Sequence, residues 1–204
     1  MATHYNITKL TKQPWLNLFD VAYSTKDGSP HHWLMCSRKD KPVEDAAVPD
    51  AVVIVPMVRT PAGNRLVLTK EFRVPIDDGE YGFPAGLIDK NETIESTVRR
   101  ELKEETGLDV VTIHDVSPPV YSSAGLSDES CCMVLVTAAG EPSTHLNEPH
   151  EQIEVLLYNV EDIRALLASD KKIAAKAWGL VYHFAATGRI EFSAFLETNQ
   201  EPRA

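Results

Sequence analysis

Cysteine is scarce in this chain. It has three, Cys36, Cys131 and Cys132, in 204 residues. An odd number with an adjacent pair makes no disulfide framework, and a reduced, cytoplasmic setting fits. Positive charge is also short. Lys and Arg number 20 against 30 Asp and Glu, which leaves a net charge of -10. That balance excludes bulk nucleic-acid binding, which needs a basic face. No apolar run approaches the ~20 residues of a membrane span. The first residues, Met-Ala-Thr-His-Tyr-Asn, lack the charged and apolar stretches of a signal peptide, so none is expected. Internal repeats and low-complexity tracts are missing as well.

What is present is ordinary for a globular protein: 43% hydrophobic and 25% charged residues. The length suits one domain, or one domain plus an appendage. Residues 15–23 and 32–37 read as two strands around an Asp27-Gly28 turn. That hairpin is too small to stand alone. We therefore place a segment at 1–46 before a main domain at 47–204. In the main domain, Ala51 to Val58, Arg65 to Val74, Cys131 to Ala138 and Gln152 to Val160 read as strands. Val110 to Tyr121 reads as extended chain broken at Pro118-Pro119. Pro75 to Gly82 reads as loop. A helix follows Gly86, two more run from Val160 to Ser169 and from Lys172 to Thr187, and Gly107 suits a left-handed helix end. This mixture predicts an α/β protein with a mixed sheet between helices.

The first of those helices carries the chemistry. Glu101, Glu104 and Glu105 stand at i, i+3 and i+4 and share one face. With Glu101 at 0°, Glu105 falls near ~40° and Glu104 near ~300°, while Ile94, Val98 and Leu102 fall near ~20°, ~60° and ~100°. The acids overlap the apolar stripe. Ser96, Arg99, Arg100 and Lys103 form the polar face, with no favourable spacing from Arg100 or Lys103 to these acids. Carboxylates on a buried side are costly unless a cation compensates them. Three together suit a hard cation, Mg2+ above all.

The stretch from Gly86 to Leu108 resembles the Nudix box, Gly-x5-Glu-x7-Arg-Glu-U-x-Glu-Glu-x-Gly-U, where U is apolar. Gly86, Glu92, Arg100, Glu101, Leu102, Glu104, Glu105, Gly107 and Leu108 match every fixed position. The resemblance implies a Nudix hydrolase, with an α/β/α sandwich fold. It also implies cleavage of a nucleoside diphosphate linked to another moiety, with divalent metal and water. The flanks are similar to the ADP-ribose and ADP-sugar pyrophosphatases: Lys70-Glu-Phe-Arg73-Val-Pro, Phe83-Pro-Ala-Gly-Leu-Ile-Asp89, Ser117 to Glu129, and Glu151-Gln-Ile-Glu-Val155. That similarity runs from about Trp15 to at least Val155. One departure is Ala124, where the subfamily usually has Pro, a position that tracks preference for ADP-ribose.

The resemblance also implies roles. The metal, Mg2+ with Mn2+ as a substitute, would be held by Glu101, Glu104, Glu105 and the backbone carbonyl of Ala85. Arg100 would pair with the box acids and fix them. Arg73 and Arg38 would hold phosphates or the terminal ribose. Trp15 and Trp33 would sandwich the adenine across a homodimer built on the exchanged hairpin. Glu151, with Glu148 as the alternative and Glu129 behind both, would be the general base. The expected partner is a small-molecule nucleotide sugar, with no nucleic acid and no membrane. Rival substrates are GDP-mannose, NADH and dinucleoside polyphosphates. The rival of another class is a non-catalytic nucleotide-binding module on the same fold.

Overall fold

The computed structural model describes residues 5–42, 48–147 and 151–190. In chain order the elements are β1 (Tyr5–Lys9), β2 (Asn17–Ser24), β3 (Pro30–Ser37), β4 (Ala51–Thr60), β5 (Gly63–Arg73), β6 (Asp78–Gly82) and β7 (Ala85–Leu87). There follow α1 (Ile94–Thr106), β8 (Asp109–Val116), β9 (Val120–Tyr121), β10 (Ser130–Ala139), β11 (Ile153–Tyr158), α2 (Val160–Leu167), β12 (Lys172–Ile173) and α3 (Ala175–Thr187). The chain divides into two compact units. One comprises residues 1–50 and 119–131; the other comprises 51–118 and 132–204.

The first unit is built on an antiparallel sheet in the order β1-β2-β3. The hairpin expected from the sequence is there, and β1 joins it as a third strand along β2. Alternation puts Phe19, Val21 and Met35 on one buried face, with Ile7 against them. Lys39 is an interior cation of this unit. Its Nζ lies 3.2 Å from Asp50 Oδ1 and 3.9 Å from Asp128 Oδ2.

In the second unit a mixed sheet runs β12-β6-β5-β4-β10-β8, with β11 on β5 and β7 on β4. The pairing of β12 with β6 is parallel. Pairings of β4 with β5, β5 with β6 and β10 with β8 are antiparallel. Strands β4 and β10 are buried on both faces and so are almost continuously apolar. Val52, Ile54 and Val58 share one core with Val134, Val136, Val98 and Leu102, which places α1 on that face. The alternate residues Val53, Val55, Leu66 and Leu68 are buried too, as are Ile163 of α2 and Val181 and Phe184 of α3. The sheet is thus a layer between helices.

Two stretches differ from the sequence reading. Residues 78–82 form a strand rather than loop: the Asp77-Asp78-Gly79 run at its start reads as a turn, but pairing with β5 outweighs that local signal. The last helix starts at Ala175 rather than Lys172. Lys172 and Ile173 pair with Glu80 and Tyr81, and Ala174 N–H donates to the Tyr81 carbonyl.

Candidate active site

Helix α1 is fixed at both ends by its own sequence. Thr93 caps it: Ser96 N–H donates to Thr93 Oγ1 at 3.1 Å, and Thr93 N–H donates back to Ser96 Oγ at 2.8 Å. At the other end Gly107 adopts φ 73°, and its N–H donates to the Lys103 carbonyl. A side chain at residue 107 would also press on Ser143. The helix register, and with it the direction of the three acids, is therefore set locally.

The turn before the helix supplies the other wall. Strand β7 pairs with β4 so that Val52 faces Gly86 and Val53 faces Ala85. Ile54 N–H donates to the Pro84 carbonyl, so the polar groups of Ala85 face away from β4. Its N–H donates to Glu105 Oε2 at 3.1 Å, and its carbonyl shares that direction. Gly86 lies against Glu101, and a Cβ there would overlap the Glu101 carboxylate.

Glu105 is 6% exposed. Burial pushes its carboxyl up to about 9, and the neighbouring charge of Glu101, then those of Glu71 and Glu151, push the same way. Burial also raises Glu101, while the Arg100 guanidinium opposes the rise. Glu71 on β5 is raised by burial, lowered by Arg73, and raised again by Glu151. Four carboxylates from β5, α1 and the loop before β11 thus act on one another. Glu151 is among them; Glu148 lies outside the described residues.

Arg100 is where the structure corrects the helical-wheel placement, while its pairing with the box acids is the one the resemblance implied. It does not stand opposite the acids. Its guanidinium grips Glu92 with two bonds of 2.9 and 2.8 Å, Glu101 at 2.7 Å and Glu104 at 3.1 Å, and also donates to the Leu87 carbonyl. The physical reason is reach. Arg100 and Glu104 are four residues apart, a favourable helical spacing, and the long stem lies along the surface to the other two. The fork holds Glu92 down to about 2. Glu104 is thereby drawn outward, with its side chain 44% exposed.

Among the described residues, no three Asp, Glu, His or Cys side chains converge as a closed ligand set. The open set of Glu101, Glu105 and the Ala85 carbonyl is all oxygen. It fits Mg2+, which commonly takes one or two carboxylates and completes its shell with water and substrate phosphate. A buried acid, Glu105, and a partly buried one, Glu101, with too little positive charge around them are the observation behind that fit.

The remaining residues fall in two places. Arg73 ends β5, with Nη1 2.7 Å from Glu71 Oε1 and Nε 3.5 Å from Glu80 Oε2. Beside Glu151 opens a cleft of about 530 Å³, bordered by Lys70, Phe72, Thr144 and Asn147. Trp15, Trp33, Arg38 and Ala124 belong to the first unit. There Arg38 Nε approaches Glu129 Oε2 at 3.5 Å. Trp15 is 80% exposed and Trp33 49%. Trp33 pairs with Val21, six residues from Trp15, so one sheet does not bring the two indoles together. Glu71 was missed in the sequence reading. Its signal was the two-residue spacing to Arg73, which puts both on one face of a strand.

Comparison with known proteins adds three findings. The NUDIX domain model matches residues 48–178. A Caenorhabditis elegans protein whose name places it among the nudix hydrolases is 34% identical over 160 residues, 76% of this chain and 71% of that protein. The ADP-ribose pyrophosphatase of Saccharomyces cerevisiae is 31% identical over 124 residues, 60% of this chain and 52% of the yeast protein. In fold, the crystal structure of an ADP compounds hydrolase superposes with a TM-score of 0.71 at 20% identity, covering 93% of this chain and 97% of that one.

Proposed function

This chain belongs to the NUDIX family of hydrolases, and from that premise we propose that it hydrolyses the diphosphate of ADP-ribose or a related nucleotide sugar, giving AMP and a sugar phosphate. One observation carries the reading. Glu101 and Glu105 are held inward against Ala85 and Gly86, and among the described residues Arg100 is the one cation bonded to either. Such a pair is stable when a divalent cation joins it.

Glu101, Glu105 and the Ala85 carbonyl would hold Mg2+ or Mn2+, with Glu104 at the rim. When bound, the cation neutralises diphosphate oxygens and lowers the pKa of water. Glu151 accepts the proton of the attacking water, which bonds to phosphorus as the bridging oxygen leaves. Arg73 binds phosphate oxygens once it exchanges its contact with Glu71, and Arg38 binds the second phosphate or the ribose. Arg100 is a positioning residue: it sets the carboxylates and touches no reacting atom.

The choice of ADP-ribose draws on the yeast relative's name and on the flanking sequences around Arg73 and Glu151. Trp15 and Trp33, exposed and apart in one chain, support adenine stacking across a homodimer built on residues 1–46. All three cysteines are free, and no described helix is long and apolar enough to cross a membrane. The free thiols support a reducing, cytoplasmic setting.

The test is product identification in oxygen-18 water with Mg2+ and a panel of ADP-ribose, GDP-mannose and NADH. AMP and ribose 5-phosphate from ADP-ribose, with the label on one named phosphate, is the expected result. Turnover of GDP-mannose with inert ADP-ribose would refute the substrate assignment. No turnover of any member would refute the activity.

A further inference from the structure

The second unit holds a further pocket, remote from the box. It is a cavity of about 350 Å³ whose lining includes Arg59, Asn64, His114, Thr137 and Arg189 above a floor containing Met57. Its lining has no carboxylate among the described residues, although the chain has 30 acids against 20 Lys and Arg. The cleft beside Glu151 is the opposite, with Asp77, Asp78, Glu151 and Glu154 in its wall.

Neither Arg59 nor Arg189 forms an ion pair with a described residue, whereas Arg73, Arg99 and Arg100 all do. His114 Nε2 and Thr137 Oγ1 lie 2.6 Å apart, which fixes the imidazole at the rim. Position separates this pocket from the box. Strand β4 touches Ala85 at Val53, and Arg59 is six residues further along, roughly 20 Å at the rise of a strand. Val52, Ile54 and Val58 face α1, so Arg59 points from the other face of the sheet.

Two guanidinium groups without an ion pair among the described residues, an amide and a hydroxyl form a donor set for an anion, and guanidinium forks match phosphate oxygens. Inorganic phosphate alone would occupy a small part of the space. The apolar floor suits an attached organic group, and the volume is that of a small-ligand site. We propose that this pocket binds a phosphomonoester carrying an apolar or aromatic group, at a site separate from the catalytic one.

Titration calorimetry on the full chain in EDTA tests this, with phenyl phosphate, inorganic phosphate and phenol as probes. Phenyl phosphate is expected to bind, inorganic phosphate more weakly, and phenol least. Arg59→Ala with Arg189→Ala is expected to weaken phenyl phosphate about tenfold or more and to leave turnover at the box unchanged. If that double variant does not fold, Arg59→Gln and Arg189→Gln, taken singly, read the same loss. Unchanged affinity in these variants, tighter binding of phenol than of phenyl phosphate, or no binding to the wild type would overturn the proposal.

Discussion

The Glu101 carboxylate occupies the space in which a side chain at residue 86 would begin. Gly86 is therefore required by close approach rather than by a left-handed backbone, since it is absent from the positive-φ glycines. Gly86→Ala should displace Glu101 and the turn together. We expect turnover to fall about 10²-fold, with a stability loss of about 1–3 kcal/mol for the overpacking. Kinetics beside thermal unfolding checks this; near-native turnover would mean that Glu101 has no part in the chemistry.

Glu105 gives a pH signature. Its folded-state pKa, about 9, is above its ordinary value of 4.5. The folded protein then binds the proton more tightly than the unfolded chain. The Glu105 contribution to stability without metal is fully present below about 4.5 and falls as pH rises toward 9, by up to about 3 kcal/mol at pH 7. Melting curves in EDTA across pH 5–9 should show the decline in the wild type and its flattening in Glu105→Gln. The same substitution should abolish turnover.

Metal should reverse that decline. Adding Mg2+ or Mn2+ at pH 8 is expected to raise the melting temperature of the wild type by mass action on the folded state. Glu105→Gln should lose most of this response and Glu104→Gln only part of it, because the Glu104 carboxylate is already drawn toward Arg100. Equal responses in the two variants would place Glu104 among the inner ligands.

Arg100→Lys should behave nearly as badly as Arg100→Ala. A lysine cannot make the two-bond grip on Glu92 while reaching Glu101 and Glu104. We expect about 2 kcal/mol of lost stability and a lower kcat at saturating Mg2+. Glu92 shows the acid side of the same fork. Its folded pKa is depressed, so its contribution is present above 4.5 and disappears as pH falls toward about 2. Acid unfolding monitored for Glu92→Gln should show less pH dependence over that interval.

Trp33→Ala should raise KM for ADP-ribose roughly tenfold with little change in kcat, and Trp33→Phe should restore most of it, if the indole stacks on the base. Sedimentation of the same variants separates stacking from dimer packing. Dissociation to monomers with unchanged KM would assign Trp33 to the interface.

Local sequence alone determined a good deal here. The i, i+3, i+4 spacing placed Glu101, Glu104 and Glu105 on one face, and Gly107 marked the end of their helix, because helix ends and helical period are short-range effects. The alternation of β2 and β3 and the apolar runs of β4 and β10 were equally legible. Tertiary structure decided the rest. Only folding could turn Arg100 onto Glu92, set Gly86 under Glu101, and bring Glu71 and Glu151 from separate strands and loops to the same carboxylates. Electrostatics and steric exclusion act through space, and no spacing rule along the chain reports which distant groups will share a few ångströms of low-dielectric interior.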